Sequence, residues 1–449
     1  MKIEDYALIG DCHSAALVGR DGSIDWLCWP RFDSAACFAA LLGEPKHGRW
    51  KIAPAGGEPA ARRRYRGDTL VLETDFETPE GAVTVVDFMP IRTRQCDLVR
   101  MVVGRRGRVA MALEFILRFD YGFSVPWITQ LREGYGVRGV AGPDMAILRS
   151  PVPLEAKGLT HVARFEVGEG QALAFVLTHE SSHVSEPAPI DPQRALRDTE
   201  AFWQRWCERC SVSGDWSGTV RRSLITLKAL TYHPTGGIIA APTTSLPERL
   251  GSVRNWDYRY SWLRDATLTL LAMMNGGYRE EASRWREWLV RAVAGSPSQM
   301  QIMYGVAGER RLPESEVPWL PGYEGSAPVR VGNAAAGQFQ LDVYGELMDA
   351  LHQARRIGIA AYEPAWDLQR ALIDHLEKVW QEPDEGIWEV RGPRRQFTFS
   401  KVMAWVAFDR AIKMVEGFGM EGPLEHWRAL RSRIHAEVCS NAFSEKRGC

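Results

Sequence analysis

The spacing of apolar and polar positions changes once along this chain. Up to about residue 185 the apolar runs are short and alternate with polar residues, which is the period of strands. Residues 68–90 show it best. Positions 69–71 and 73–76 alternate or carry β-branched side chains, Pro79-Glu80-Gly81 interrupts, and 82–88 resumes, a pattern that predicts a hairpin. Residues 98–103 and 109–119, separated by a glycine-bounded turn at 104–107, predict a second hairpin. Runs at 146–148, 162–167 and 172–178 continue the series, and strands so closely spaced predict a β-sandwich. The first forty residues are less regular. Gly10-Asp11-Cys12-His13 and Asp21-Gly22-Ser23-Ile24-Asp25-Trp26 read either as turns between edge strands or as a segment reaching a neighbouring site.

Residues 181–192 are polar and contain three prolines, marking a boundary. A linking helix follows over 193–210, with Ala195, Leu196, Phe202, Trp203 and Trp206 on its apolar face. From residue 216 the period is helical. Helices are predicted over 219–232, 265–274, 280–294, 333–358, 365–380, 401–416 and 424–438. No comparable strands alternate with them, which argues against a parallel α/β barrel. The resulting division is a β-sandwich domain at 1–190, a linker helix at 191–215 and an all-α domain at 216–449. The intervening stretches 236–253 and 296–332 are too long for plain connectors, and long structured loops usually carry function.

Composition narrows the classes of function. The chain has 449 residues, 45% hydrophobic and 25% charged, as in globular proteins, and more than one core usually serves. A net charge of −1 gives no attraction to nucleic acid or an anionic membrane. The start of the chain holds no apolar run of signal-peptide length, and no segment reaches membrane-spanning length, so the expected location is cytoplasmic. The eight cysteines are scattered, and the single CxxC, Cys207 to Cys210, lies in a helical pattern without a second pair. No metal and no cofactor are expected. There is no phosphate-binding GxxxxGK[ST] loop and no GxSxG. Seventeen tryptophans call for a use beyond core filling.

Three stretches could supply chemistry. In residues 252–265, SVRNWDYRYSWLRD, seven of fourteen positions are Arg or aromatic. Arg264 and Asp265 offer a fork of donors beside a fork of acceptors, with Trp256, Tyr258, Tyr260 and Trp262 supplying flat apolar faces. A sugar ring needs that mixture, although an aromatic loop with a structural Arg264–Asp265 ion pair would read the same. In DEGIWEVRG, residues 384–392, Glu389 follows Trp388. A carboxyl group against indole has its ionised form disfavoured and can donate a proton near neutrality. The alternative is a salt-bridged carboxylate beside a packing Trp. In residues 320–340, Tyr323, Arg330 and Asn333 precede a helix, either as ligand contacts or as an ordinary capped start.

Taken together and in order, these stretches resemble glycoside hydrolase family 15, which contains glucoamylases, glucodextranases and a trehalase branch. The matching motifs are IGDCHSAALVGRDGSIDWLCWPRFDS, PTTSLPERLGSVRNWDYRYSWLRDA, GYEGSAPVRVGNAAAGQFQLDVYGE and DEGIWEVRGPRRQFTFSKVMAWVAFDRA. The resemblance implies a β-sandwich followed by an (α/α)6 toroid barrel, and an inverting, exo-acting α-glucosidase that releases glucose from α-glucans or trehalose. It implies that Glu389 is the general acid, that Arg264 and Asp265 hold sugar hydroxyls with Tyr258 and Trp262 lining the same subsite, and that Trp388 beside the acid shapes the pocket, with Tyr323 and Arg330 as further contacts. The expected partner is an oligosaccharide or disaccharide, with homo-oligomerisation left open. An inverting glycosidase needs a second carboxylate about 6.5–9.5 Å from the acid. The family carries it late in the barrel, in a motif not found here, so the barrel is expected to be incomplete and the chain truncated. Two alternatives stay open: a glycoside phosphorylase, in which phosphate replaces the base, and a catalytically silent glucan-binding protein.

Overall fold

The computed structural model describes all residues except 94, 360–362, 444 and 447–449. By internal contacts the chain forms two compact units. Unit 1 comprises Met1–Pro234, Ala241–Arg259 and Ser315–Val331; unit 2 comprises Thr235–Ala240, Tyr260–Glu314 and Gly332–Cys449.

Unit 1 is built on one 15-stranded sheet. Its organising strand is Cys96–Ile116, 21 residues long. The first half pairs antiparallel with Gly81–Phe88 and Ala172–Ser181, the second half with Arg49–Pro54 and Thr160–Gly168. Two ladders that could have formed separate sheets are thereby joined. Residues of both ladders, among them Ile24, Trp50, Phe76, Leu98, Leu113, Leu148 and Phe175, share one buried apolar cluster. The hairpin expected over 98–119 is therefore a single strand. The glycines taken as its turn permit close approach instead. A Cβ on Gly104 would stand 2.0 Å from the Gly168 carbonyl oxygen, and one on Gly107 2.1 Å from that of Glu80. The expected first hairpin is present, as Leu72–Thr78 against Gly81–Phe88. The first forty residues are also more regular than expected, forming strands Tyr6–Gly10, Ala15–Gly19 and Ser23–Cys28.

Helix α1 (Pro192–Cys207) begins with an N-cap, the Asp191 carboxylate accepting from the Gln193 and Arg194 amides. Its Leu196 closes a second cluster with Val86, Val99 and Val176 of the sheet. Helix α2 (Ser217–Ala229) follows within the same unit.

Unit 2 contains α3 (Leu263–Asn275), α4 (Arg279–Val293), α5 (Asp342–Arg356), α6 (Glu363–Val379), α7 (Thr398–Phe418) and α8 (Leu424–Asn441). Indoles fill much of its interior: Trp285, Trp288, Trp380 and Trp427 are almost fully buried. Gly345 lets α5 approach α7 closely, since a Cβ there would meet the Met403 carbonyl at 2.2 Å. Among the described residues no helix is long and apolar enough to cross a membrane. One predicted helix, 333–358, is divided. A 3-10 turn at Ala334–Gly337, capped by the Asn333 side chain, is followed by extended chain before α5 starts at Asp342. The residues between the two helices are held by other partners. The Phe339 amide donates to Glu385 Oε2 at 2.9 Å and the Leu341 amide to Asp384 Oδ2 at 3.0 Å, bonds that a continuous helix would forbid.

One buried ion pair anchors the sheet. Arg100, fully buried, donates to Asp87 at 2.7 Å and to the carbonyls of Trp50 and Gly22, each at 2.8 Å. Asp87→Ala is expected to cost about 3–5 kcal/mol, because a guanidinium would be left buried without its counter-charge. Glu166→Ala, which removes the exposed partner of Arg108, is expected to leave stability essentially unchanged. Denaturant midpoints of the two variants measure the contrast.

Candidate functional site

The only large gathering of candidate chemistry in unit 2, among the described residues, centres on the start of α3. Ser261–Trp262 pairs as a short strand with Met303–Tyr304, and the Leu263 amide donates to the Ile302 carbonyl at 2.9 Å. That pairing fixes the chain direction just before the helix and sets Trp262 and Arg264 side by side. Asp265 falls in the first turn, where the helix dipole favours a negative charge.

Arg264 is shared between two carboxylates. Its Nη1 donates to Asp342 Oδ2 at 2.9 Å and to Gln340 Oε1 at 3.3 Å, and its Nη2 donates to Glu389 Oε1 at 3.2 Å. Trp262 Nε1 donates to the same Glu389 oxygen at 2.7 Å. Asp342 is fully buried at the start of α5, and its Oδ1 has no hydrogen-bond partner among the described residues. One turn on, Glu346 Oε2 lies 3.1 Å from the hydroxyl of Thr267, a residue of α3.

Glu389 itself sits on the loop between α6 and α7. Asp384 and Arg395 close the loop with reciprocal backbone bonds of 2.9 Å. Glu385 ties it to the extended segment, its amide donating to the Phe339 carbonyl at 3.1 Å. Gln340 Nε2 donates to Gln338 Oε1 at 2.9 Å, and Gln338 Nε2 donates to the Glu389 carbonyl at 3.2 Å. Glu389 adopts φ 50°, left-handed backbone for a residue with a Cβ. Such a conformation costs on the order of 1–3 kcal/mol and persists where surroundings over-determine it.

The electrostatics follow from burial and from Arg264. Burial raises the Glu389 pKa, against the Trp262 hydrogen bond and the Arg264 charge, which both favour the carboxylate. Burial also raises Asp342, again opposed by Arg264. Burial pushes Glu346 up to about 7. Burial weakens the proton affinity of Arg264, but Asp342 and Glu389 outweigh it and raise the pKa. Asp265 reaches solvent, yet the protein crowding its carboxyl raises its pKa, with Arg264 opposing.

The residues singled out from sequence divide between the two units. Trp262, Arg264 and Glu389 meet through direct hydrogen bonds. Arg264 takes Asp342 and Glu389 as its ion-pair partners, so an isolated Arg264–Asp265 pair is not what forms. The indole at the Glu389 carboxyl belongs to Trp262; Trp388 is 75% exposed. Tyr258, Tyr323 and Arg330 lie in unit 1. There Tyr323 is buried with its hydroxyl donating to the Met1 carbonyl at 3.2 Å. Arg330 lies over the Trp256 ring at 4.7 Å and donates to the Val253 carbonyl at 2.7 Å, while the Tyr258 carbonyl accepts from the Ala241 amide. Sequence reasoning passed over Gln338, Gln340, Asp342 and Glu346 because they fell within a predicted helix. Two acidic residues four apart on one helix face were the available signal.

Residues 216–449 match the family model described as Glycosyl hydrolases family 15, and residues 1–198 match one described as Trehalase-like, N-terminal. The chain is 35% identical to a trehalase of Mycolicibacterium smegmatis, over 99% of this chain and 71% of the relative. It is 30% identical to a trehalase of Thermoplasma volcanium, over 98% of this chain and 71% of the relative. A crystal structure of a bacterial glucoamylase complexed with acarbose superposes with a TM-score of 0.66 at 12% identity, covering 96% of this chain. The chain spans 66% of the length of that glucoamylase. Its likeness shows the fold, a large N-terminal sheet domain followed by a helical region.

Glu346 gives the cluster a pH signature. The folded state binds this proton more tightly than the unfolded chain does. Its contribution is complete below the ordinary 4.5 and is lost as pH rises through about 7. Glu346→Gln is expected to gain stability relative to the parent across that window and hold a constant advantage above it, read as the difference in thermal midpoints against pH.

Proposed function

The chain belongs to glycosyl hydrolase family 15, and from that membership and the geometry around Arg264 we propose that it hydrolyses trehalose to glucose with inversion at the attacked carbon. The observation that carries this reading is the likeness to trehalases at 30% identity or more across nearly the whole chain. Glu389 is the general acid. Trp262 and Arg264 both donate to its Oε1, which leaves Oε2 to carry the proton delivered to the glycosidic oxygen. Burial favours the protonated form of this carboxyl relative to an exposed one.

Arg264 and Asp265 bind the hydroxyls of the glucosyl ring undergoing cleavage, and the exposed Trp388 offers an apolar face to the sugar. The guanidinium is already engaged by two carboxylates, so it is oriented before substrate arrives. As the bond to the leaving sugar breaks, positive charge develops at the ring oxygen and anomeric carbon, and water attacks from the opposite face. The carboxylate that activates this water is not assigned to a residue. The helices of unit 2 are read as part of an (α/α)6 toroid, and the action as exo-cleavage.

Glucose release from trehalose, maltose and a longer α-glucan tests the reading. Release from trehalose is expected, lowered about 10²–10⁴-fold in Glu389→Gln. Early in the reaction, α- and β-glucose should appear in equal amounts by NMR, because inversion affects one of the two anomeric carbons. Release from maltose alone would replace the substrate, dependence on inorganic phosphate would make the protein a phosphorylase, and undiminished release by Glu389→Gln would remove that residue from the mechanism.

A further inference from the structure

Asp342 has no role in the reaction outlined above, yet it is the most deeply buried acid in the cluster. It lies at the first position of α5, fully buried, and its one hydrogen-bonded oxygen takes Nη1 of the guanidinium whose Nη2 donates to Glu389. The two carboxylates therefore compete for one cation. A guanidinium facing a single carboxylate strongly favours its ionised form; one divided between two favours each less. We propose that Asp342 is a positioning residue which, by holding one side of Arg264, limits how far that cation can favour ionisation of Glu389. The inference rests on Glu389 being the acid.

The other charges in reach do not substitute for it. Glu389 also faces Asp265 on α3 and Arg391 on its own loop, beside the Trp262 indole N–H. Asp342 faces Arg264 on α3, and it acts in turn on Asp384 at the base of the acid's loop and on Glu346 of its own helix. Among these groups, Arg264 alone hydrogen-bonds both Asp342 and Glu389. Gln340, donating onward to Gln338, holds the same guanidinium from the neighbouring segment and fixes the direction in which it is divided.

The test titrates Glu389 directly, by NMR of the protein carrying ¹³C-carboxyl-labelled glutamate, with the signal assigned by its loss in Glu389→Gln. Asp342→Asn keeps the shape and removes the charge. It is expected to lower the Glu389 midpoint by about one pH unit, and to move the alkaline limb of trehalose hydrolysis down by the same amount. Asp342→Glu, which keeps the charge, should stay near the parent. Arg264→Met should raise the midpoint, and in that background Asp342→Asn should no longer lower it. An unmoved midpoint in Asp342→Asn overturns the proposal. So does an equal shift with and without Arg264, which would mean a direct field between the carboxylates. Should Asp342→Asn not fold, an unmoved midpoint in Arg264→Met overturns the division of the cation. The titration needs no turnover, so absence of hydrolysis would count against the proposed function and leave this result standing.

Discussion

The hydrogen bonds between two segments far apart in sequence, 338–341 and 384–395, decide what the rest of unit 2 can do. Neither segment is helix or regular strand, and each satisfies the other's backbone: Phe339 with Glu385, Leu341 with Asp384, Gln338 with the Glu389 carbonyl. Irregular backbone that is removed from water must find partners for its polar groups. Here those partners bring the start of α5 and the Glu389 loop together. Arg264 completes the arrangement from α3, in contact with residues of both segments. The helices act as a scaffold, and the site is made where helices stop.

That division explains what could be read from sequence. The change of period near residue 185 located the strands and then the helices, because burial of one face imposes its repeat wherever an element is regular. All seven helices expected after residue 216 have a counterpart, and only the one expected over 333–358 is divided. Errors arose where local signals carry two meanings. Gly104 and Gly107 looked like a turn and serve as points of close approach inside one long strand. The Ala334–Gly337 run looked like the start of α5, yet the chain leaves the helix to bond a loop about 45 residues later, a pairing no local preference encodes.

The site was legible in part for the same reason. Arg264 and Glu389 stand out through their motifs, and the resemblance to a known family gave them roles. Their actual partners did not stand out. Trp388, adjacent in sequence to Glu389, points to solvent, while the indole on its carboxyl comes from a residue more than a hundred positions earlier. Asp342 carries no motif of its own and is recognisable only by its place beside Arg264. Tyr323 and Arg330 make hydrogen bonds within unit 1, and Tyr258 lies in the same unit.

The long strand of unit 1 bears on how the chain is made. Cys96–Ile116 takes partners from both sides of itself in sequence, those at 49–54 and 81–88 before it and those at 160–168 and 172–181 after it. On the ribosome, the early partners can add to it as soon as it emerges. One edge of each half then stays open until a further stretch of some tens of residues has been translated. Unpaired edges are where strands of separate molecules join. For this protein both halves of the long strand have two partners only once residue 181 clears the exit tunnel, so edge pairing between molecules is most open before that point.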